Sequence, residues 1–275
     1  MIFFVFIIKQ EMNSITSDIC EIITRYIQKP TYELLDWIDI KNLDFDNLSR
    51  NPNAIKLLKE NPDKINWDLL SANPAAIELL EENPHNINWM VLSTNISAIE
   101  LLKKNPDKID WNSLSKNPAA IKLLKENPDK INWDLLSTNE EAIELLKQNP
   151  DKIYWKWLSK NKKAIELLSN NPDKINWELL SFNEGAIKLL SENKNKIDWK
   201  WLALNPEAIE LLKENPHKIN WTLLSLNDGA IELLKENKNK INWCWLSSNP
   251  SIFKKVYHNN DKKIIQKIME IILIK

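Results

Sequence analysis

Asn117-Pro-Ala-Ala-Ile-Lys-Leu-Leu-Lys-Glu-Asn-Pro-Asp-Lys-Ile-Asn-Trp-Asp-Leu-Leu-Ser137 is the stretch on which the fold turns. Within it Ala120, Ile121, Leu123 and Leu124 recur at helical spacing, with Lys122, Lys125 and Glu126 on the opposite side, so one face is dry and one is wet. Asn117 followed by Pro118 is a helix start, because the Asn side chain accepts from exposed N–H groups and proline's fixed φ suits a first helical position. Asn127 followed by Pro128 is a stop. Moving outward in both directions, the same pattern returns at a fixed interval. Tryptophan stands at Trp67, Trp89, Trp111, Trp133, Trp155, Trp177, Trp199, Trp221 and Trp243, every step being 22 residues, and one step before Trp67 lies Phe45.

With the aromatic residue as position 1, the consensus is W-x-x-L-S-x-N-P-x-A-I-x-L-L-K-x-N-P-D-K-I-N. Position 4 is leucine and position 7 asparagine in all ten copies, from Leu48 to Leu246 and from Asn51 to Asn249. Positions 8 to 16 are expected to form the longer helix. Asn at position 17 is expected to end it in a left-handed conformation, and the following P-D-K-I reads as a loop. Asn or Asp at position 22 is placed to cap a second, very short helix, W-x-x-L-S. Opposite charges one turn apart, Lys56/Glu60, Lys122/Glu126 and Lys188/Glu192 or Glu144/Lys147, Glu210/Lys213 and Glu232/Lys235, describe the solvated side. A unit of this size buries too little apolar surface to offset the ordering of its backbone, about 1–2 kcal/mol per residue, so units must stack. The tryptophans are expected to fill the shared core, each with a large apolar area. Ala at position 10, from Ala54 to Ala230, marks a close approach of backbones.

The expected fold is therefore all-α: an α-solenoid of about ten 22-residue two-helix repeats over residues 45–259, flanked by helical caps. Residues 1–44 hold an apolar start and a capping helix in which Ile15, Ile19, Ile22, Ile23, Tyr26 and Ile27 share a face before Pro30. Residues 260–275 carry Ile264, Ile265, Ile268, Ile271 and Ile272 at helical period as the closing cap. The apolar run Met1 to Ile8 is far shorter than the roughly 20 residues a membrane-spanning helix needs, and Met12 is an alternative start. A leucine-rich-repeat horseshoe shares the period, but its strand motif is absent and Asn/Pro boundaries bracket A-I-x-L-L.

The chemistry of catalysis is missing from this pattern. Cys20 and Cys244 have no metal-type spacing, and His85 and His217 occupy one repeat position six copies apart, with His258 beyond. No phosphate-cradling glycine loop or nucleophile elbow occurs. No enzymatic activity, metal or cofactor is expected. With 37 basic and 38 acidic residues the net charge is −1, which disfavours a nucleic-acid partner. In solenoids the positions that vary between copies face partners. Here Trp157, Trp201 and Trp245 at position 3, and Phe182, Leu204 and Leu226 at position 6, make up a candidate protein-binding patch. Leucines at position 3 in other copies, such as Leu135 and Leu179, support a competing reading in which that position thickens the core.

The phrases Leu35 to Phe45, Asn51 to Trp67 and Asn249 to Phe253 resemble a family of uncharacterised Trp/Leu/Asn-rich tandem-repeat proteins of giant DNA viruses of amoebae. The resemblance covers roughly residues 30–256. It carries no catalytic residues; it implies a viral protein acting inside the host cell or in the virion, and not a secreted one. The expected function is a non-catalytic protein-binding or scaffolding surface, the alternatives being a structural virion component or a helical-repeat nucleic-acid binder.

Overall fold

The computed structural model describes residues 31–256, and both expected capping helices lie outside this range. Two compact units emerge. One is the repeat array Leu35–Ile252. The described part of the other is a two-stranded antiparallel sheet, β1 (Thr31–Leu34) and β2 (Phe253–Val256), with Thr31 opposite Val256 and Leu34 opposite Phe253.

The array is helical throughout, and the unit starting at Trp133 shows its parts. A one-turn α-helix, Trp133–Leu136, is followed by a 3-10 turn, Glu140–Ala142, a longer α-helix, Ile143–Gln148, and a second 3-10 turn, Pro150–Lys152. Both predicted caps form. Asn132 Oδ1 accepts from Leu135 N at 3.1 Å to start the short helix, and Asn139 Oδ1 accepts from Glu141 N at 3.0 Å to start the 3-10 turn. Two expectations need correction. The P-D-K-I segment is not an irregular loop but a 3-10 turn closed by its own backbone, as Ile153 N to Pro150 O shows. The Asn at position 17 is not left-handed: Asn149 has φ −131°, and no described residue has positive φ. Its side chain terminates the helix instead, Nδ2 donating to Leu145 O at 2.9 Å and satisfying a carbonyl of the last turn.

The charged face follows the helix dipole. Glu144–Lys147, Glu210–Lys213 and Glu232–Lys235 pair at 3.0, 2.9 and 3.8 Å. The pairs with lysine first, Lys56/Glu60, Lys122/Glu126 and Lys188/Glu192, do not form; acid-before-base is the better orientation on a helix.

The core is narrower than expected. Leu at position 4, Ala at position 10 and Leu at position 14 have no exposed surface, as in Leu136, Ala142 and Leu146, while Ile143 and Leu145 are half-buried. The tryptophans do not disappear into this core. All nine position-1 indoles, and Phe45, are half-buried. The position-20 lysine of the same unit covers the ring in six units, with Nζ 4.2–4.6 Å from the centroid in pairs such as Lys130 over Trp111 and Lys218 over Trp199. The physical reason is the spacing of the backbones. One asparagine or serine side chain bridges them across each interface, a gap that leaves room for Leu and Ala but displaces an indole to the edge.

Two ladders set that spacing. Asn139, fully encased, donates from Nδ2 to Ser115 O at 3.1 Å and to Asn117 O at 2.9 Å in the preceding unit. The same two bonds are made by Asn73, Asn95, Asn117, Asn161, Asn183, Asn205, Asn227 and Asn249. In the second ladder the position-5 serine hydroxyl donates to its own unit's Trp carbonyl and accepts from the amide of the residue that caps the next Trp helix: Ser115 Oγ donates to Trp111 O at 2.8 Å and accepts from Asn132 N at 3.0 Å.

Both ladders continue from the last unit to the first. Asn51 Nδ2 donates to Ser247 O at 3.1 Å and Asn249 O at 2.9 Å, and Asp44 N donates to Ser247 Oγ at 2.8 Å. The asparagine bonds are those every other interface makes, and the serine bond is the one made wherever position 5 is serine, now spanning the two ends of the array. The repeat array therefore closes on itself as a ring. Nine units are continuous, and the tenth is assembled from both ends. Residues 243–252 supply its Trp helix and first turn; Asp39 to Asp44 supply its second turn, Ile40–Asn42, and the cap of Phe45–Leu48. Leu35 N to Ile252 O joins the halves at 2.9 Å. Successive units approach most closely at the Trp helices and the first 3-10 turns, and less closely at the Ile–Leu helices, so each unit is a wedge and the stack curves.

Candidate partner-binding face

Position 3 lies on the short Trp helix and position 6 directly after it, so the residues that vary between copies stand in parallel rows across successive units. Trp157 sits on Trp155–Leu158, Phe182 caps Trp177–Ser181, and Trp201 sits on Trp199–Leu202 with Leu204 just beyond. All four are half-buried and line one cavity of about 310 Å³. Four of the six expected patch residues are thus brought together. Leu226, half-buried, and Trp245, 39% exposed, are not among the residues lining that cavity. Position 3 does not join the sealed core: Leu135, Leu179 and the three tryptophans all retain surface.

Charged residues at positions 2 and 6 complete the cavity, and sequence reasoning had not singled them out. Glu178 Oε1 accepts from Trp201 Nε1 at 2.8 Å and orients that indole. Lys160 Nζ lies 5.7 Å from the Trp157 ring centroid and 5.6 Å from that of Phe182, bridging the two rings. Burial, and after it the neighbouring charge of Lys116, pushes the Lys160 ammonium below the usual lysine range. Lys156 lines the same cavity, and Lys200 stands 5.7 Å from the Trp201 ring. A signal existed: positions 2 and 6 vary along with position 3, and stacked units put equal positions side by side.

A second cavity, about 220 Å³, shares Lys160 and Phe182 with the first and is also lined by Lys116, Thr138 and Lys162. Lys162 is paired there with Glu140 at 3.0 Å and Glu184 at 3.8 Å, which holds its ammonium above the usual range. His85, His217 and Cys244 are exposed, and among the described residues no three His, Cys, Asp or Glu side chains converge as metal ligands would. No helix of the described residues is long and apolar enough to cross a membrane.

The fold and this face together define a closed ring of helical repeats with an aromatic slot on one arc. No protein-family model, curated protein or solved structure matches the chain.

Proposed function

We propose that the ring is a non-catalytic scaffold that holds a protein partner at the slot formed by Trp157, Phe182, Trp201 and Leu204. The observation that carries this reading is the convergence of three large aromatic side chains and a leucine, from three successive units, around a single cavity on a surface otherwise rich in charge. Partly exposed aromatic anchors of this kind dominate interface energetics, and a contiguous apolar patch rimmed by charge is characteristic of binding surfaces. The likeness of the repeats to those of giant-virus proteins supports a place in an infected host cell or in the virion.

The test is affinity capture from amoebal host cells with the unaltered chain and with the double variant Phe182→Ser, Leu204→Ser. Both side chains are half-buried, so the variant is expected to keep its circular dichroism spectrum while losing proteins that the unaltered chain retains. Identical captured sets from two equally folded proteins would overturn the reading.

A further inference from the structure

The carboxylates that line the two cavities are already engaged: Glu140 and Glu184 pair with Lys162, at 3.0 and 3.8 Å. Lys116, Lys156, Lys160 and Lys200 make no ion pair among the described residues, whereas Lys162 beside them has two. Glu178, the carboxylate lining the aromatic cavity, already accepts from the Trp201 indole. Lys116, Thr138 and Lys160 moreover hold the same repeat position in three successive units and all line the second cavity, where Lys160 feels the like charge of Lys116. The two cavities meet at Lys160 and Phe182, so an apolar compartment opens directly beside a cationic one. Like charges left close together in a partly desolvated cleft favour an anion between them.

We propose that the slot recognises a partner segment in which a carboxylate adjoins a bulky apolar side chain, the apolar group entering between Trp157, Phe182, Trp201 and Leu204 and the carboxylate pairing with Lys160 and Lys116. This rests on the slot being a protein-binding site and assigns the chemistry of its occupant. Charge complementarity selects an acidic peptide over a basic one: Glu140 and Glu184 are engaged by Lys162, so an acidic flank finds Lys116 and Lys160 without an ion pair whereas a basic flank must displace Lys162 to gain a counter-charge.

The probes are blocked peptides with one phenylalanine between two aspartates, the same peptide with lysines in place of the aspartates, and the aspartate peptide with alanine in place of phenylalanine. Tryptophan emission of the full chain reports binding, since Trp157 and Trp201 line the cavity. The aspartate–phenylalanine peptide is expected to bind about tenfold or more tightly than either control, as a charge-assisted contact warrants, and to weaken as ionic strength rises. In the Lys160→Met, Lys116→Met double variant, which keeps the apolar stems, the preference for acid over base is expected to vanish. Equal binding of the acidic and basic peptides overturns the charge assignment while leaving apolar docking intact. Binding by neither peptide also overturns it, and the capture experiment with Phe182 and Leu204 replaced then decides separately whether the slot binds protein at all.

Discussion

Asparagine at position 7 performs two tasks with one side chain. Its Oδ1 caps the turn that follows, and its Nδ2 ties two carbonyls of the neighbouring unit inside a site closed to water. The first task follows from the Asn-Pro dipeptide; the second depends on where the adjacent unit lies. Replacing Asn139 with Leu orphans the carbonyl of Ser115, leaves Asn117 O with only the Ala120 amide and removes the cap on Glu141 N; at about 1–3 kcal/mol for a buried acceptor left unmade and about 1 kcal/mol for a cap, the expected loss is roughly 2–5 kcal/mol in chemical denaturation. Serine at position 5 works similarly, and the chain offers its own control. At Ala203 the hydroxyl is missing and the Asn220 amide lacks the acceptor that Asn242 finds in Ser225 Oγ at 3.0 Å. Ala203→Ser is therefore expected to stabilise the protein by about 0.5–1.5 kcal/mol, seen as a higher unfolding midpoint. A lower midpoint would mean that this interface has repacked around the methyl group.

At the scale of the element, the short Trp helix is a single turn that cannot stand alone and relies on its cap. Asn or Asp supplies that cap in the other units, but Tyr154 precedes Trp155 and makes no side-chain cap bond. Tyr154 is 40% exposed and stands among the exposed large apolar side chains of the array. Tyr154→Asn is expected to add about 0.5–1 kcal/mol, measured as an upward shift in thermal midpoint; an unchanged or lower midpoint would show that the ring's packing outweighs the missing cap. Helix starts and stops were legible because Asn, Pro and acidic residues act locally. The termination by Asn149 was legible only as a position: the sequence shows where the helix ends, whereas the mechanism, a side-chain amide on the Leu145 carbonyl in place of a left-handed residue, is a matter of geometry. The tryptophans were misplaced for a related reason. Hydrophobic size argues for the core, but the thickness of the gap between units is set by the asparagine ladder, and that gap accepts Leu136, Ala142 and Leu146 and leaves Trp133 at its edge.

At the scale of the whole array, closure replaces capping. An open stack needs end units with polar outer faces, whereas a ring, like a closed barrel, has no ends to protect. Closure also makes the number of units matter. Ten wedges complete the circuit from Asn51 to Asn249, so deleting residues 133–154 removes one interface's worth of structure and also prevents the terminal halves from meeting in register. The expected outcome is a loss of cooperativity, with hydrogen exchange accelerated first at the Asp44 amide, whose acceptor is Ser247 Oγ. An open array would instead lose only about one unit's share of stability and unfold as cooperatively as before.

By itself the sequence determined the 22-residue period, the helical character of each unit, its caps and the residues that vary between copies, because all of these are properties of a residue and its near neighbours in the chain. The patch residues Trp157, Phe182, Trp201 and Leu204 belong to that legible set. Only the tertiary structure decided that the array curves through a full turn and joins residues 35–44 to 243–252, and that Lys116, Lys160 and Glu178 share the arc of the slot. Curvature is the sum of small rotations at successive interfaces, each set by how far apart two backbones stand, and that distance is fixed by contacts between residues 22 and 24 apart in the chain.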